Sequence, residues 1–577
     1  MKNVYFATIL LLSFTNYAQT WQWGKRGGSA DLLSEGAGAR QEEVYSIVTD
    51  SNKNIYTLSS VGITNLNIDG NPKTNFGDST SITDYALSSF SCDGSYRWSK
   101  IIGGGNVEVI HELQIDNQDN IYVGGRFANV QNTTYLSRID DDVIISQTPI
   151  DASLIFITKF NSDGVMQWFK RPQRSDVSIP VGFGQTATRG ISVDATGNIH
   201  WLVALPPGTY ANGAFVNSLP GSNWFILRYD TNGNYLNAIP LDMQLGGTSG
   251  LYLNFYRNQY NGNYYFTGRK ESTDVATIGG QTVTNSVYLT SFDNQGNFLW
   301  KREDTSPIAG YLFMYNLVFD TDNNIYMAGK MIGFNQDSFI GFSIPETIIP
   351  SFVMKVNPTA DTLLWASPNN GGGGADNYGA ITLKGNEIGF AGNCFSNNFV
   401  WGSQSIFASN INEGSEILLA RFDKDTGNCL SLVKIPGDIG YNDNGTSLTT
   451  DASGDYILGG GFGHYLYING TTLVKEGSQS DFFIAKYATS ACSPLAINSY
   501  DSEKIAIYPN PAHNEVHVNT HEPLQYNITT LTGSIVAKGT INPDNNIIDV
   551  SLLNVGCYII QMQNKQGGIT SSKLLIK

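Results

Sequence analysis

One phrase recurs seven times along this chain and constrains its fold more than any other feature. An Asp or a substitute closes an apolar run, a short turn follows, and a strand then begins with an Asn-Ile-Tyr-like segment. The copies are Asp50 with Asn54-Ile55-Tyr56, Asp116 with Asn120-Ile121-Tyr122, Asp194 with Asn198-Ile199-His200, Asn263-Tyr264-Tyr265, Asp320 with Asn324-Ile325-Tyr326, Asn386-Glu387-Ile388, and Asp451 with Asp455-Tyr456-Ile457. Successive copies lie 61 to 78 residues apart. This long period of β-type units predicts a repeat array and favours a β-propeller.

The composition supports an all-β fold and excludes nucleic-acid binding. Charged residues are only 15% of the chain and aromatic residues 12%, with 61 Gly, a mixture that suits strands and tight turns. The net charge of -16 argues against nucleic acid, because phosphate binding requires clustered Lys and Arg. The 577 residues exceed one ordinary hydrophobic core, which predicts several domains or a large repeat ring.

Two further strand signals complete each unit. A strand with one buried face alternates bulky apolar and polar residues, and a Trp-bearing strand follows it after a turn. The alternating strands are Phe156–Phe160, Phe225–Tyr229, Phe352–Val356 and Phe483–Tyr487. The Trp positions are Trp98, Trp168, Trp300 and Trp365, with Leu236 and Leu430 as apolar substitutes. An insert separates the Asn-Ile-Tyr strand from the alternating strand, so each unit is predicted to hold four strands and an inserted hairpin.

The two ends of the array predict how it closes. A Trp-bearing strand at Trp21–Gly27 has no unit before it, and the last unit reaches Tyr487 with no Trp-bearing strand after it. These complementary orphan strands predict that Trp21–Gly27 pairs beside Phe483–Tyr487 in the last unit. Such pairing would remove the exposed sheet edges of an open array. The expected fold is therefore a closed seven-bladed β-propeller spanning residues 19–490.

The repeats resemble those of the bacterial β-propeller repeat family abbreviated SBBP. The family pattern is Trp, Gly-Gly, and then Asp-x-x-Gly-Asn-Ile-Tyr-x-x-Gly, and Asp194-Ala195-Thr196-Gly197-Asn198-Ile199 is the best fit to it. The resemblance covers about residues 21–490, and each copy is degenerate. It implies an architecture and no particular chemistry.

The N-terminus has the composition of a secretory signal peptide. Lys2 precedes an apolar run of 11 residues, Val4–Phe14, and a small residue, Ala18, ends the segment. We expect a signal peptide over residues 1–18 and a mature chain that begins at Gln19. The run is shorter than the roughly 20 residues that a membrane span needs, and no Cys follows it for lipid attachment. No later segment is predicted to cross a membrane.

The C-terminal residues have a different sequence pattern from the repeats. Short alternating strands follow Tyr508-Pro509-Asn510-Pro511, then come Gly556-Cys557-Tyr558 and a final segment from Lys573 to Lys577. The pattern predicts a small antiparallel β-sandwich over residues 505–577, after a linker over 491–504. It resembles the type A sorting domain of the type IX secretion system of Bacteroidota, although Cys557 departs from the usual aliphatic residue or Thr. The resemblance implies contact with that secretion machinery, and surface attachment or release. The propeller is expected to fold without this module.

The five Cys residues do not form a disulfide framework. Their number is odd, and no pair has the spacing of a zinc site, so the main prediction is small buried residues. If one bridge exists, the expected pair is Cys394 with Cys429, since both fall in the sixth unit.

No catalytic, cofactor-binding or metal-ligating residue is assigned from the sequence. His111-Glu112 begins like a zinc-protease helix, but Ile115 stands where the second His is needed. Gly341-Phe342-Ser343 is not a nucleophile elbow, because Pro345 replaces the required Gly. The turn Asp320–Asn324 has oxygen ligands at alternate positions. A purely structural turn is the main interpretation and calcium binding the alternative, since Met331 replaces the Glu of a calcium loop.

Three functions remain open from the sequence. The first is a non-catalytic secreted or cell-surface propeller that binds a glycan, a matrix polymer or an envelope protein. The second is a secreted polysaccharide-degrading enzyme with its site on the propeller axis, because such a site is discontinuous in sequence. The third is a structural surface-layer component. Clustered carboxyl groups of raised pKa in an axial pocket would favour the enzyme, and an aromatic platform without them would favour binding.

Overall fold

In the computed structural model the chain forms two compact units, residues 1–492 and 493–577. The structure describes residues 19–31, 42–77, 83–104, 108–128, 135–145, 153–172, 174, 186–246, 249–271, 273–305, 312–331, 338–343, 351–371, 373–374, 380–395, 398–408, 414–477, 480–490, 492, 507–520, 522–530, 534–563 and 569–577. The predicted signal peptide and the predicted linker, except Cys492 in the latter, lie outside the described residues.

The first unit contains seven groups of four antiparallel strands, here named sheets I to VII in the order of their first strands, and short strands extend sheets I, VI and VII to six strands. In order of hydrogen-bonded neighbours, the first, second, third and outer strands are Val44–Thr49, Ile55–Val61, Asp84–Phe90 and Tyr96–Gly103 in sheet I; Val109–Ile115, Ile121–Ala128, Ser153–Phe160 and Met166–Lys170 in sheet II; Ala187–Val193, Ile199–Leu205, Asn223–Tyr229 and Tyr235–Pro240 in sheet III; Asn254–Arg257, Tyr264–Arg269, Val287–Phe292 and Phe298–Glu303 in sheet IV; Leu312–Phe319, Ile325–Met331, Ser351–Val356 and Leu363–Pro368 in sheet V; Ala380–Lys384, Glu387–Cys394, Gly414–Asp423 and Cys429–Ile435 in sheet VI; and Asn444–Thr450, Tyr456–Phe462, Asp481–Ala488 and Thr20–Gly28 in sheet VII. Within the described ranges the helical elements are two 3-10 turns, Ala211–Gly213 and Ser249–Tyr252. The predicted all-β class is confirmed.

Every sheet carries a short hairpin between its second and third strands, as the inserts predicted. These hairpins are Asn67–Ile68 with Asn71–Pro72, Arg138–Ile139 with Val143–Ile144, Gly208–Tyr210 with Phe215–Asn217, Ala276–Ile278 with Gln281–Thr282, Ser338–Phe339 with Phe342–Ser343, Phe399–Trp401 with Gln404–Ile406, and Tyr465–Ile468 with Thr471–Val474. Three further short strands are Met243–Leu245, Gly373–Gly374 and Tyr441–Asn442. The hairpin of sheet II pairs with the outer strand of sheet I, so an insert can extend the preceding sheet.

The recurrent phrase forms the hairpin between the first and second strands. In sheet II the Asp116 carboxylate accepts hydrogen bonds from the backbone N–H groups of Gln118 and Asn120, at 2.8 and 2.9 Å, and from the Tyr122 hydroxyl at 2.8 Å. An Asp that bonds the backbone two and four residues ahead favours a tight turn over continued strand. Asp50 and Asp320 repeat these bonds with Tyr56 and Tyr326.

A cation from the third strand completes this arrangement in several sheets. Lys159 Nζ lies 3.9 Å from Asp116 and 5.3 Å from the centre of the Tyr122 ring. Equivalent pairs are Lys355 with Asp320, Arg421 with Glu387, and Lys486 with Asp451. The basic residue was visible in the sequence as the polar member of each alternating strand. Its carboxylate partner lies in the turn after the first strand, or for Glu387 at the start of the second strand, so strand periodicity did not identify the pair.

The Trp-bearing strands join neighbouring sheets. Trp98 Nε1, on the outer strand of sheet I, donates a hydrogen bond of 3.1 Å to the Ser162 carbonyl in the last hairpin of sheet II. Gly164 of that hairpin has φ +77°, and a Cβ built there would lie 2.7 Å from the Trp98 ring. Equivalent contacts join Trp23 to Cys92 and Gly94, Trp168 to Thr231 and Gly233, and Trp365 to Lys424 and Gly427. The Trp of one sheet therefore packs against the turn Gly of the next sheet, and both repeat features belong to this single contact between sheets.

Gly164→Ala should destabilise the protein by about 2 kcal/mol, because it combines a disfavoured backbone conformation with an overlap against Trp98. Gly341→Ala is the matched control, since Gly341 has φ +78° and nothing within 4 Å of a built Cβ. The control should cost only the backbone term of about 1 kcal/mol. Urea unfolding of both variants measures the difference, and equal midpoints would contradict the proposed contact.

The N-terminal strand Thr20–Gly28 pairs antiparallel with Asp481–Ala488, placing Trp21 opposite Tyr487 and Gly27 opposite Phe482. The predicted pairing of the two orphan strands is confirmed. The Trp23 indole then donates to the Cys92 carbonyl of sheet I at 3.1 Å. The first strands of sheets I and VII also contact each other. The two ends of the array are therefore joined by backbone pairing and by the same Trp contact that joins other neighbours.

The predicted disulfide between Cys394 and Cys429 is wrong. Cys394 pairs opposite Glu416 and Cys429 opposite Phe422, at distant points of the same third strand. A six-residue separation along a strand is about 20 Å, far beyond the reach of a disulfide. Both thiols are free and buried, and burial raises the pKa of each to about 12.

The observed bridge joins Cys92 to Cys492, with a Cα–Cα distance of 5.7 Å and a sequence separation of 400 residues. Cys92 lies in the last hairpin of sheet I, and Cys492 follows the third strand of sheet VII. Lys486 Nζ lies 3.3 Å from Cys92 Sγ. The bridge therefore crosses the seam where the first and last sheets meet.

The C-terminal unit has a three-stranded and a four-stranded antiparallel sheet. In hydrogen-bonded order the strands are Ile507–Tyr508, Glu515–Val518 and Ile547–Asp549, and then Ile535–Ile541, Leu524–Thr530, Gly556–Gln563 and Ile569–Ile576. Val516 and Ile548 of one sheet share a core with Ile560 and Leu574 of the other. The Asn510 side chain donates to the Lys573 carbonyl at 2.7 Å and accepts from the Leu575 N–H at 2.8 Å. The opening motif thus binds the last strand of the unit.

Candidate ligand-binding cavity

The first strands of six sheets surround a cavity of about 870 Å³. Each of these strands contributes at least one polar residue to the wall. They are Ser46, Glu112, Ser192, Tyr256, Asn316 and Thr382 of sheets I to VI, with His111, Gln114 and Arg257 beside them. These side chains are mostly half-buried, because the opposite face of each strand packs into the cores between sheets. Hydroxyl, amide and carboxyl groups supply both hydrogen-bond donors and acceptors. The cavity wall can therefore bind a ligand rich in hydroxyl groups.

One end of the cavity is formed by turns between first and second strands. Gln259, Tyr260, Asp322 and Asn386 line this rim. Lys424, in the turn after the third strand of sheet VI, joins them and donates its N–H to the Asn386 carbonyl at 2.8 Å. Tyr260 is 47% exposed, which makes its ring available to a ligand at the rim. Phe255 and Phe319 add apolar surface to the wall. The cavity thus combines polar groups with aromatic rings, the pairing that ligand sites use for orientation and contact area.

β-Bulges interrupt the first strands of five sheets near the same position: between Val44 and Ser46, Val109 and Glu112, Thr188 and Ile191, Met314 and Asn316, and Gly445 and Ser447. A bulge inserts an unpaired residue and changes the direction of the local side chains. Tyr45, His111 and Arg189 lie in three of these bulges. The Tyr45 and His111 rings stack with centres 4.1 Å apart and planes 13° from parallel, although they belong to different sheets. Sequence periodicity had no signal for this grouping.

His111 and Glu112 are two of the titratable groups that line the cavity. Burial raises the pKa of Glu112 to about 7, with Arg189 and the Ile191 N–H opposing the shift. Burial, with the nearby charge of Arg189, lowers the pKa of His111 to about 4. At neutral pH His111 is therefore uncharged, and Glu112 is close to half protonated. The two residues lie on a strand, as predicted when the zinc-protease helix was rejected.

In the Asp-rich turn at the rim, Asp320–Asn324, the Asp320 carboxylate accepts hydrogen bonds from the turn itself and from Tyr326. Burial opposes ionisation of Asp320, yet hydrogen bonds from Asn324 and Tyr326 hold its pKa below the usual range. Lys355 Nζ adds a positive charge 3.6 Å away. Across the described parts of the chain, no three His, Cys, Asp or Glu side chains are grouped so as to hold a metal ion. Gly341-Phe342-Ser343 lies in the inserted hairpin of sheet V, away from the cavity wall.

A second group of buried carboxyls lies at the seam of sheets I and VII. Glu42 accepts hydrogen bonds from the Ser29 N–H, at 2.9 Å, and from the Gly62 N–H. Arg26 binds both Asp481 and Glu476. Burial, followed by the charge of Asp481, raises the pKa of Glu42 to about 8. Burial raises the pKa of Asp481 to about 7 despite Arg26.

Stability should fall as pH rises from 5.5 to 8.5. The folded pKa values of Glu42 and Asp481 are raised, so their contribution is complete below their unfolded pKa values and is lost as pH passes through about 7 to 8. The fall is measured by urea unfolding at both pH values. Glu42→Gln should make this dependence less steep, and the exposed Glu515→Gln should not. An unchanged slope in Glu42→Gln would contradict the assignment.

The C-terminal residues 506–577 match the family of the secretion-system C-terminal sorting domain. No curated protein sequence matches the chain.

Solved structures to which the chain is similar at low identity include the following three. Quinohemoprotein alcohol dehydrogenase from Comamonas testosteroni is 10% identical, with a TM-score of 0.33, over 86% of this chain and 79% of that chain. A protein of unknown function from Dyadobacter fermentans is 9% identical, with a TM-score of 0.35, over 81% and 98%. The extracellular domain of a hybrid two-component system from B. thetaiotaomicron is 10% identical, with a TM-score of 0.21, over 92% and 80%.

Within the described ranges, no helix combines the length and the hydropathy of a membrane span. The match at the C-terminus covers the motifs Tyr508-Pro509-Asn510-Pro511 and Gly556-Cys557-Tyr558 on which the sequence resemblance depended. The chain therefore carries a type IX secretion sorting domain and is exported to the outer cell surface or the extracellular space.

Proposed function

We propose that this protein is an exported, non-catalytic binding protein that holds a saccharide in the central cavity of a seven-bladed β-propeller. The observation that carries the proposal is the cavity of about 870 Å³, to which six sheets each contribute a polar side chain. The seven sheets, the paired end strands and the repeated Trp contacts support a closed ring with SBBP-type blades. Such a ring is a rigid scaffold for an exported binding surface.

The ligand class follows from the wall chemistry. A saccharide presents many hydroxyl groups, each of which can donate and accept, and the wall has Ser, Thr, Asn, Tyr and Glu groups that do the same. The faces of sugar rings are apolar, which suits the exposed Tyr260 and the Phe255 side chain. A buried site of this kind discriminates strongly against ligands that leave its polar groups unpaired.

The enzyme alternative has less support from the wall. Hydrolysis of a glycosidic bond by the usual route needs two carboxyl groups, one on each side of the bond. Among the described residues, three carboxyl groups line the cavity. Glu112 has the raised pKa of an acid catalyst, but Asp320 is committed to its turn, and Asp322 lies at the rim. The wall resembles the aromatic and polar platform expected of a binding site more than the carboxyl cluster expected of a hydrolase.

Binding can be tested with the mature chain, residues 19–577, on a glycan array followed by calorimetry, beside a reducing-sugar release assay. Glu112→Gln and Tyr256→Phe should each weaken binding about tenfold, the loss expected for one buried hydrogen bond. Gln167→Ala, on the exposed outer strand of sheet II, is the matched control and should bind as the parent does. Unchanged affinity in both cavity variants would overturn the site. Release of sugar that Glu112→Gln abolishes would establish the enzyme instead.

We further propose that residues 1–18 are a cleaved signal peptide, that residues 505–577 form a β-sandwich joined by the linker over 491–504, and that this module contacts the type IX machinery. Deleting 505–577 should trap the protein in the periplasm of its native host, and fusing those residues to an exported reporter should carry the reporter outside. Cell fractionation measures both. A truncated chain that still reaches the surface or medium at the normal level would contradict the assignment.

The remaining proposal concerns the Asp-rich turns, for which we favour a structural role without bound calcium. Their carboxylates already accept backbone and Tyr hydrogen bonds, as Asp116 and Asp320 show in sheets II and V. Calcium titration followed by thermal unfolding distinguishes the alternatives, because a bound ion would raise the unfolding temperature with concentration.

A further inference from the structure

Lys486, on the third strand of sheet VII, faces two carboxyl groups inside the protein. Its Nζ lies 2.7 Å from Asp451 Oδ2, and the two side chains are only 1% and 0% exposed. The same nitrogen lies 3.3 Å from Asp455 Oδ2 and 3.3 Å from the Sγ of the bridged Cys92. A primary amine therefore contacts one buried carboxyl directly and has a second carboxyl beside it.

The equivalent Asp has more partners in sheets II and V. In sheet II, Asp116 Oδ2 accepts hydrogen bonds from the Asn120 amide and the Tyr122 hydroxyl, both at 2.8 Å. Lys159 Nζ stays 3.9 Å from that oxygen and bonds the Thr231 hydroxyl at 2.7 Å. Sheet V repeats the two bonds to its Asp at 2.9 Å, with its lysine 3.6 Å away. In both sheets neutral donors hold the carboxylate, and the amine lies outside direct contact.

Two substitutions change this environment in sheet VII. Asp455 stands at the position of the Asn, and Ile457 at the position of the Tyr. Ile457 lies opposite Lys486 in the strand register and is fully buried in the apolar core shared with sheet I. Among the described residues, Asp451 Oδ2 has Lys486 Nζ as its one hydrogen-bond partner, whereas Oδ1 accepts two N–H groups of the turn at 2.8 and 3.1 Å. The turn thus fixes one carboxylate oxygen and leaves the other to the amine.

We propose that Lys486 and Asp451 condense within the folded protein to form an isopeptide bond, with Asp455 transferring the protons. The Nζ–Cγ bond forms and the Cγ–Oδ2 bond breaks. Asp455 takes a proton from the attacking nitrogen and delivers it to Oδ2, which leaves as water. The ammonium and the carboxylate together hold all the atoms of one amide and one water molecule, so no other reactant is needed. Oδ1 becomes the amide oxygen and keeps its bonds to the turn.

The site meets the physical conditions for this reaction. Burial in apolar surroundings favours the neutral amine and carboxyl over the two ions, and the neutral amine is the nucleophile. Contact at 2.7 Å in a fixed orientation replaces the encounter that two free groups would need. The ion pair is thus the reactant of the step. Its product crosslinks the first turn of sheet VII to the strand that pairs with Thr20–Gly28.

Mass spectrometry of the mature chain, residues 19–577, tests the proposal after reduction of the disulfide. The intact mass should be lower than that of the sequence by one water molecule. Tryptic mapping should show no cleavage after Lys486 and should recover a peptide whose fragments join Lys486 to Asp451. A parent chain of full mass, or a water lost at any other site, would overturn the proposal.

Three variants separate the roles of the groups. Asp455→Asn restores the residue of sheets II and V, so it should fold with the ion pair intact and form the bond about a hundredfold more slowly. Lys486→Arg should keep the charge and retain the full mass. Lys355→Arg, which alters the equivalent pair of sheet V, is the matched control and should lose the water as the parent does. Bond formation at the parent's rate in Asp455→Asn would overturn the role of Asp455. The measurement on the parent chain decides the proposal even where a variant does not fold.

Discussion

Replacing Cys92 and Cys492 together with Ser is expected to lower the free energy of unfolding by about 4 kcal/mol. The bridge joins residues 400 positions apart, so it restricts nearly the whole unfolded repeat array. The longer the closed loop, the more conformational entropy a crosslink removes from the unfolded chain. It also holds the last sheet against sheet I, where the junction would otherwise depend on strand pairing and the Trp23 contact.

Urea unfolding followed by Trp fluorescence measures this effect, with the parent protein examined both oxidised and reduced. Cys557→Ser is the matched control, because Cys557 is a free thiol in the C-terminal unit and should leave the midpoint unchanged. Peptide mapping without reduction should recover a peptide that links Cys92 to Cys492 and none that links Cys394 to Cys429. A double variant with the parent's midpoint would show that the bridge does not stabilise the seam.

Lys486→Met is expected to cost about 4 kcal/mol, because it leaves a buried carboxylate without its counter-charge. Lys486 Nζ lies 2.7 Å from Asp451, and the two side chains are only 1% and 0% exposed. Asp455 adds a second contact at 3.3 Å. The turn N–H groups of Ser453 and Asp455 still stabilise Asp451, but they carry no full charge. In Lys486→Met the Asp451 carboxylate therefore lacks a full counter-charge in the buried site, which destabilises the folded state.

A double-mutant cycle with Asp451→Asn separates the cost of the unpaired charge from the loss of packing. The double variant should recover part of the loss. Lys25→Met is the matched control, since Lys25 pairs with Asp69 at 3.0 Å but the two side chains are 28% and 24% exposed. A solvent-accessible pair of this kind should contribute about 0.5 kcal/mol. Equal losses in Lys25→Met and Lys486→Met would contradict the role of burial.

The parts of the fold that the sequence predicted depend on contacts close in sequence. Asp116 bonds residues two, four and six positions ahead, so its turn and the following strand leave a local signature. The outer strands recur once per unit, most of them with a Trp, and the extra copy at the N-terminus predicted the pairing of the two ends. The sorting module was recognisable for the same reason, because its motifs occur in a fixed order within about 70 residues.

Other features depend on which residues the fold brings together from distant segments. The Cys92–Cys492 bridge was missed because its two residues belong to different sheets. The pair predicted instead, Cys394 and Cys429, shares one unit, but a strand spans about 20 Å, so membership in one unit is a poor guide to distance. Tyr45 and His111 stack although they lie in β-bulges of two different sheets. A bulge changes side-chain direction without changing residue type, so no alternation pattern marks it.

The sequence by itself therefore determined the β-strand repeat, the strand pairing that joins its ends and the export of the protein. Tertiary structure decided the disulfide, the buried Lys486–Asp451 pair and the cavity with its charged wall. The physical reason is that hairpin turns are stabilised by residues a few positions apart, whereas charge balance and burial are set by sheets whose residues lie tens to hundreds of positions apart in the chain.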